Sequence, residues 1–228
     1  MCNITKTLLK LNIFAYLFIT SMMMYSQDWP NLGRYQKENE LLMENPVDSN
    51  RVVFMGNSIT EGWINLRPEY FKDKPYVNRG IGGQTTPQML LRFRQDVIDL
   101  KPRAVVILAG INDIAENTGP STLKMITDNI ESMVELALAN GITVYLCSVL
   151  PANNFPWRPQ IKPADKVLEL NHFLRNLSNQ ENVIYVDYYS KMVDDNKGLK
   201  AELGDDGVHP NQKGYKIMEE VLTNHLTF

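Results

Sequence analysis

The sequence predicts an α/β fold built on an open, mostly parallel sheet with helices on both faces. Short apolar runs suited to strands alternate along the chain with segments of helical period, which is the pattern of repeated βαβ units. Two of the runs, at residues 104–109 and 142–149, are essentially continuous in apolar residues. Such runs are expected for strands that are covered on both faces, as in a parallel sheet.

Each predicted element has its own local signal. Strand-like runs fall at residues 52–55, 76–78, 104–109, 142–149 and 183–186, and segments of helical period at 86–100, 123–138, 163–180 and 211–222. The helix at 123–138 is the best defined, because its apolar residues recur with helical spacing and it stops at Asn140-Gly141, a pair suited to a left-handed cap. An amphipathic segment at 32–43 precedes the first strand, and we expect it to pack on the sheet.

Length and composition indicate a single domain. With 228 residues, of which 44% are hydrophobic and 21% charged, the chain can bury one sizeable core. The formal net charge is -3, and the 23 Lys and Arg residues form no run or stripe. We therefore expect neither a nucleic-acid partner nor a polybasic membrane surface.

The first 26 residues resemble a secretory signal peptide. Lys6 and Lys10 precede an almost wholly apolar stretch at 11–25, after which polar chain resumes. This stretch is shorter than the ~20 residues of a membrane span, so a cleaved signal is favoured over a retained anchor. Its removal would change the net charge from -3 to -5 and leave Cys147 as the only cysteine. We expect an exported protein, periplasmic or extracellular, with its domain at residues 27–228 and no internal disulfide.

Polar residues with catalytic potential follow the first three predicted strands. Ser58 follows the first strand, Gly80, Gly82 and Gly83 follow the second, and Asn112 follows the third. In a parallel sheet these strand ends share one edge, where ligands collect. A hydroxyl, glycine N–H groups and an Asn amide together suit acyl transfer, as nucleophile and oxyanion hole. Considered singly, the serine could be a helix cap and the glycines a plain turn.

A nucleophilic serine needs a base, and the chain offers three histidines. His209 is favoured because Asp206 stands three residues earlier, where a short turn can bring its carboxylate to the imidazole. Asp205 is a rival for that orienting role. His172 lies inside a predicted helix and His225 near the C-terminus, where we expect surface roles.

The blocks Gly56-Asn57-Ser58, Gly82-Gly83, Gly110-Ile111-Asn112-Asp113 and Asp206-Gly207-Val208-His209 resemble, in this order, those of the SGNH (GDSL-type) hydrolase superfamily. The segments 78–86 and 110–118 look especially similar to the catalytic subunits of platelet-activating-factor acetylhydrolase. The resemblance runs from about residue 52 to the C-terminus. It implies a flavodoxin-like, three-layer αβα sandwich with a five-stranded parallel sheet, and a carboxylic ester hydrolase that works through an acyl-serine. It implies no metal or organic cofactor.

The resemblance also implies a role for each matched residue. Ser58 would be the nucleophile, His209 the general base and then acid, and Asp206 the residue that orients His209. The oxyanion hole would consist of the N–H groups of Ser58 and Gly83 and the side chain of Asn112. One departure is visible, because Asn57 stands where the family usually has Asp. Asn keeps the hydrogen-bonding capacity, so we expect activity to persist.

The substrate depends on the loops over the strand ends. Trp63 and the segment 152–158, which contains Trp157, could stack on and hydrogen-bond a sugar ring, or Phe155 and Trp157 could simply pin a long loop. The sequence shows no long apolar lid segment of the kind that would suggest a lipase for long acyl chains. We predict an esterase for short acyl groups, notably acetyl, on a glycan or small molecule. The alternatives are a lysophospholipase or thioesterase of the same superfamily, and a non-catalytic secreted carbohydrate-binding protein.

Overall fold

A single parallel sheet of five strands forms the middle layer of the molecule. The computed structural model describes residues 28–226 and gives the strand order β2-β1-β3-β4-β5. The strands are β1 Val52–Gly56, β2 Tyr76–Gly80, β3 Ala104–Leu108, β4 Thr143–Cys147 and β5 Val183–Val186. All adjacent pairs are parallel, with Val52 opposite both Tyr76 and Ala104. The predicted flavodoxin-like sandwich is therefore confirmed, because this is the strand order of that fold.

Helices cover both faces of the sheet. They are α1 Gln36–Glu44, α2 Ser58–Leu66, α3 Pro68–Phe71, α4 Thr86–Asp96, α5 Ile111–Ile114, α6 Leu123–Ala139, α7 Ala164–Leu177, α8 Tyr189–Met192 and α9 Gln212–Thr223. Helices α1, α4, α6 and α7 contact one another in sequence and form one layer, while α2, α3 and α9 belong to the other. Burial matches this arrangement, because every residue of β1 and β3 is buried whereas the edge strand β5 keeps two residues partly exposed.

Two predicted helices are shorter than their apolar period suggested. The helix predicted at 86–100 ends at Asp96, because Val97 leaves the helical conformation at φ -128° and a 3₁₀ turn, Ile98–Leu100, follows. The helix predicted at 163–180 spans Ala164–Leu177. Ile98 and Leu100 remain buried, so the apolar pattern continues past the end of α4 although the α-helix does not.

An aromatic cluster fills the space between β1 and the layer of α2, α3 and α9. Phe54 of β1 contacts Trp63, Phe71 and Tyr76 edge-on or tilted, with ring centroids 5.2 to 5.7 Å apart. Trp63 in turn stacks on Tyr70 at 5.4 Å. Such pairs add to the hydrophobic stabilisation of the core.

The carboxyl ends of β1, β2 and β3 lie at one edge of the sheet, as parallel pairing requires. Within residues 28–226, no helix is both long and apolar enough to cross a membrane. The predicted signal peptide, residues 1–26, falls outside the described part of the chain.

Candidate active site

Ser58 is the first residue of α2 and lies directly beyond the end of β1. Asn57 caps the helix, because its Oδ1 accepts the N–H of Ile59 at 3.0 Å. The Nδ2 of Asn57 is buried without a partner among the described residues. The helix lies very close to β2, since a Cβ added to Gly80 would stand 2.1 Å from the backbone N of Glu61. Glycine at position 80 therefore allows α2 to rest against the end of β2.

Ser58, His209 and Asp206 form a continuous hydrogen-bonded chain. The Oγ of Ser58 lies 2.9 Å from Nε2 of His209, and Nδ1 of the same ring lies 2.7 Å from Oδ2 of Asp206. The His209 and Asp206 side chains are each 41% exposed. The structure thus brings Ser58 to the Asp206 and His209 pair, although Ser58 and His209 are 151 positions apart in sequence.

The Asp206 carboxylate is held by its own loop. Its Oδ1 accepts the backbone N–H groups of Val208 at 2.9 Å and His209 at 2.7 Å. Burial alone would raise the pKa of Asp206, but hydrogen bonds from His209 and Val208 and the nearby imidazole outweigh it, and the pKa lies below its usual value. An ionised carboxylate only accepts hydrogen bonds. The Nδ1 of His209 must therefore carry the proton, which leaves Nε2 free to accept the proton of Ser58.

The loop that carries His209 is closed at its base. The N–H of Asn211 donates to the carbonyl of Leu203 at 2.9 Å, and Gly204 pairs with Pro210 in an antiparallel bridge. Asn211 then caps α9 by accepting the N–H groups of Lys213 and Gly214. The imidazole consequently projects from a short, anchored turn.

Gly83 and Asn112 lie in neighbouring loops at the same edge. Gly83 has φ +76°, and its N–H makes no hydrogen bond to any other residue of the described chain. The Nδ2 of Asn112 donates to the carbonyl of Gln84 at 3.0 Å, and Nδ2 of Asn117 approaches the carbonyl of Gly83 at 3.4 Å. Nδ2 of Asn112 carries a second N–H, which remains for a ligand.

Asp113 ties the Asn112 loop to the start of α4. Its buried carboxylate accepts both the N–H and the hydroxyl of Thr86, at 3.0 and 2.6 Å. Burial raises the pKa of Asp113 from 3.8 to about 6, although the bonds from Thr86 act in the opposite direction. The adjacent side chains of Asn112 and Asp113 therefore both form hydrogen bonds to the segment that follows Gly83.

The prediction that Trp63 contacts substrate is wrong. Trp63 is 1% exposed, lies between Tyr70 and Tyr215, and donates its Nε1–H to Glu219 at 3.2 Å. Its position four residues after the buried Ile59 puts both side chains on the core face of α2. That spacing is a sequence signal for burial.

Trp157, in contrast, stands beside the base. It is 44% exposed, its ring centroid lies 6.3 Å from that of His209, and its ring packs at 5.3 Å on the buried Phe155. The buried Phe155 therefore anchors the loop, while the partly exposed ring of Trp157 borders the site.

The other candidates from the sequence lie apart from the triad. Asp205 contacts Asn211 at 3.4 Å rather than the imidazole. His172 lies on α7 with Asn176 at 3.1 Å, and His225 follows the end of α9. Cys147 is buried, and this burial raises the pKa of its thiol to about 12, so it is no rival nucleophile.

Sequence reasoning missed two residues that support the site. Glu61 accepts the N–H of Gly82 through Oε2 at 2.9 Å. Arg92 is fully buried on α4, where it donates to Gln84 at 2.6 Å and to the carbonyl of Gly56 at 3.0 Å. The sequence signal for Arg92 is its spacing of four residues from Asp96, with which it forms a buried ion pair on the core side of the same helix. Among residues 28–226, His, Cys, Asp and Glu form no cluster of three that could hold a metal ion.

Comparison with known proteins agrees with this geometry. The model of the GDSL-like lipase/acylhydrolase family matches residues 54–217. Two solved structures are about 50% identical to this chain in sequence. A "putative acylhydrolase" from Bacteroides fragilis is 50% identical, with a TM-score of 0.84 over 88% of this chain and 97% of the other. A GDSL-like lipase from Bacteroides thetaiotaomicron is 48% identical, with a TM-score of 0.83 over 87% and 98%.

A curated relative carries a more specific name. The acetylxylan esterase of Xylanibacter ruminicola is 27% identical over 213 residues, which cover 77% of this chain and 42% of the relative. This chain thus spans less than half of that protein. The match to the family model covers well over half of the chain, and it confirms the resemblance that the four blocks predicted. The chain belongs to the GDSL-like lipase/acylhydrolase family.

Proposed function

We propose that this protein is an exported serine esterase that removes short acyl groups, above all acetyl, from carbohydrates. The single observation that carries the proposal is the chain of hydrogen bonds from Ser58 through His209 to Asp206, at 2.9 and 2.7 Å. This is the arrangement in which a serine hydroxyl becomes nucleophilic.

The proposed reaction has two halves. Ser58 Oγ attacks the ester carbonyl while Nε2 of His209 takes its proton, and the carbonyl oxygen becomes an oxyanion. The N–H groups of Ser58 and Gly83 and Nδ2 of Asn112 donate to that oxyanion. His209 then protonates the departing alcohol oxygen, which leaves an acyl-serine. Water, deprotonated by His209, attacks this intermediate, and the bond to Ser58 Oγ breaks as His209 gives its proton to that oxygen and the acid is released. Asp206 stabilises the imidazolium in both halves.

A short acyl group fits the open surroundings of the serine. Ser58 is only partly buried and the His209 side chain is 41% exposed, so the reacting groups lie close to solvent. A long acyl chain would gain its binding energy from burial in an apolar pocket. An acetyl group has no such requirement.

A sugar as the alcohol part fits the surroundings of His209. The general acid stands next to the leaving group, so the alcohol must lie on the His209 side of the ester. Trp157, whose ring is 6.3 Å from that of His209, offers an exposed aromatic face there. Aromatic faces suit the apolar side of a sugar ring, and the acetylxylan esterase relative acts on such a substrate by its name.

Export follows from the N-terminal 26 residues, whose Lys6 and Lys10 precede an apolar stretch typical of a signal peptide. The domain at 27–228 would then meet acetylated glycans outside the cytoplasm.

The proposal is tested with acetyl and octanoyl aryl esters and with acetylated xylo-oligosaccharides. We expect turnover of the acetyl substrates and a fall in kcat of about 10⁴-fold or more in Ser58→Ala. Turnover that survives in Ser58→Ala would refute the acyl-serine mechanism. A preference for octanoyl esters would favour the lysophospholipase or thioesterase alternative, and an inactive wild type would favour the carbohydrate-binding alternative.

The sugar preference has its own pair of variants. Trp157→Ala should lower kcat/KM on the acetylated oligosaccharides by about 10-fold and leave the aryl acetate unaffected, since stacking contributes about 1 kcal/mol or somewhat more. Trp29→Ala is the matched control, because Trp29 is exposed to a similar extent, 46%. Equal losses in the two variants, or on both substrates, would contradict the role of Trp157.

A further inference from the structure

We propose that Glu61 is a positioning residue that sets the Gly82-Gly83 turn and thereby aims the Gly83 N–H at the reacting ester. This inference rests on the proposed function, because it concerns the oxyanion hole of the same site. Glu61 itself touches neither substrate nor the reacting atoms.

Glu61 connects the serine helix directly to the turn. It lies on α2 three residues after Ser58, and its Oε2 accepts the N–H of Gly82 at 2.9 Å. A Cβ added to Gly82 would stand 2.9 Å from that oxygen and 3.9 Å from Cβ of Ser58. The carboxylate, the turn and the nucleophile therefore lie close together, and a side chain at position 82 would have to displace the Glu61 carboxylate.

The hydrogen bond to Glu61 separates the roles of two successive N–H groups. The N–H of Gly82 is occupied by the carboxylate, whereas that of Gly83 has no partner within residues 28–226. An N–H that donates to a carboxylate is not available to an oxyanion. Glu61 thus leaves the donor role to Gly83 and fixes the peptide plane that precedes it.

A carboxylate next to an oxyanion hole would by itself oppose catalysis, because like charges repel. Arg34 offsets this charge, since its guanidinium lies 3.5 Å from Oε1 of Glu61. Arg34 ends the 3₁₀ turn Leu32–Arg34, which is tied to α4 by a bond from Gln95 Nε2 to the carbonyl of Leu32 at 2.7 Å. The segment ahead of α1 therefore contributes to the electrostatics of the site.

The decisive comparison is between Glu61→Ala and Glu61→Gln. Removal of a direct oxyanion donor costs about 10²- to 10³-fold in kcat, so misalignment of one donor should cost less, about 10- to 100-fold, in Glu61→Ala. KM should change little, because the interaction strengthens only in the transition state. Glu61→Gln should recover kcat to within about 3-fold, since the amide oxygen can accept the Gly82 N–H.

A second readout reports on the oxyanion hole itself. A methyl trifluoromethyl ketone adds reversibly to the enzyme: Ser58 Oγ bonds to the carbonyl carbon, its proton passes to Nε2 of His209, and the carbonyl oxygen becomes an oxyanion. Affinity for this probe should fall in Glu61→Ala in parallel with kcat/KM and recover in Glu61→Gln, whereas a loss of stability alone would not produce that parallel.

Glu69→Ala is the matched control, because Glu69 also pairs with an arginine, Arg67, but lies on α3 near the amino end of β2, at the opposite edge of the sheet from the site. It should keep the wild-type kcat. Wild-type kcat and probe affinity in Glu61→Ala would overturn the inference while an inactive Ser58→Ala left the proposed function intact. Equal losses in Glu61→Gln and Glu61→Ala would also overturn it. Turnover in Ser58→Ala would instead refute the proposed function.

Discussion

At the scale of single residues, the orientation of His209 depends on contacts within its own turn. One oxygen of Asp206 holds the backbone N–H groups of Val208 and His209, and the other holds the ring. The same side chain therefore shapes the turn and selects the tautomer of the base. This explains why two residues only three positions apart can be recognised as a pair from sequence.

Removal of the Asn112 side chain should weaken the oxyanion hole. In Asn112→Ala we expect kcat to fall about 10²- to 10³-fold on aryl acetate, because a side-chain donor to the oxyanion is lost. Steady-state kinetics on the purified variant measure this change, with thermal unfolding as a check on the fold. Asn140→Ala is the control, since Asn140 is the C-cap of α6, which leads into the amino end of β4, and its Nδ2 donates to the nearby carbonyl of Leu136. A wild-type kcat in Asn112→Ala would exclude its amide from the oxyanion hole.

At the scale of elements, α4 is held at its first residue by a group on α5. Asp113 accepts the N–H and the hydroxyl of Thr86, and Asn129 of α6 donates to the same hydroxyl at 3.1 Å. This arrangement places a carboxylate at a helix N-terminus, where the helix dipole favours negative charge. Burial nevertheless raises the pKa of Asp113 to about 6. The carboxylate therefore becomes neutral under mildly acidic conditions.

The raised pKa of Asp113 predicts how stability depends on pH. A carboxyl whose folded pKa exceeds its unfolded value stabilises the fold below the unfolded pKa, and that contribution disappears as the pH rises through the folded pKa. For a change from 3.8 to about 6, the loss amounts to about 2 kcal/mol between pH 4 and 7. Urea unfolding at several pH values, for wild type and Asp113→Asn, should show wild type losing this much relative to the variant.

The control for this titration is Asp99→Asn, because Asp99 is exposed in the 3₁₀ turn after α4. The difference between wild type and Asp99→Asn should stay nearly constant across the same range. If the Asp113→Asn difference were equally flat, Asp113 would not be the group that titrates.

In the whole molecule, the helices on one face of the sheet connect the elements that carry Ser58 and His209. The layer of α2, α3 and α9 closes over an aromatic core, in which Tyr215 of α9 donates its hydroxyl to the carbonyl of Ile59 at 2.7 Å. That bond joins the helix that follows the His209 loop to the helix that begins with Ser58. The core thus fixes the distance between nucleophile and base.

Truncation of Trp63 should destabilise the fold and leave substrate binding nearly unchanged. Trp63→Phe removes part of a buried ring and the hydrogen bond to Glu219, so we expect a loss of about 2 kcal/mol in the free energy of unfolding. Denaturant unfolding measures this loss. KM for acetylated oligosaccharides should stay within about 2-fold, since the ring is 1% exposed. A raised KM at unchanged stability would restore Trp63 as a ligand contact.

The local patterns were sufficient to predict all five strands and the residues that follow them. Continuous apolar runs identify buried strands, and parallel order brings their carboxyl ends together. The end of α4 at Asp96 was not predictable, because the apolar period continues through Ile98 and Leu100 after the helix has changed type. Burial of Trp63 was missed because its spacing from Ile59 indicates a shared core face only once α2 is recognised as a helix, and the apolar pattern did not predict that helix.

The fold class was predictable from the alternation of apolar runs and helical periods along the chain. The family and the roles of Ser58, Gly83, Asn112, Asp206 and His209 were predictable from the resemblance of four short blocks to known hydrolases, because each block is local in sequence. Three contacts became visible in the folded structure: Asp206 rather than Asp205 holds the imidazole, Trp157 rather than Trp63 borders the site, and Glu61 accepts the N–H of Gly82. These contacts depend on how helices rotate and loops close against the sheet, and packing across the whole core sets that geometry.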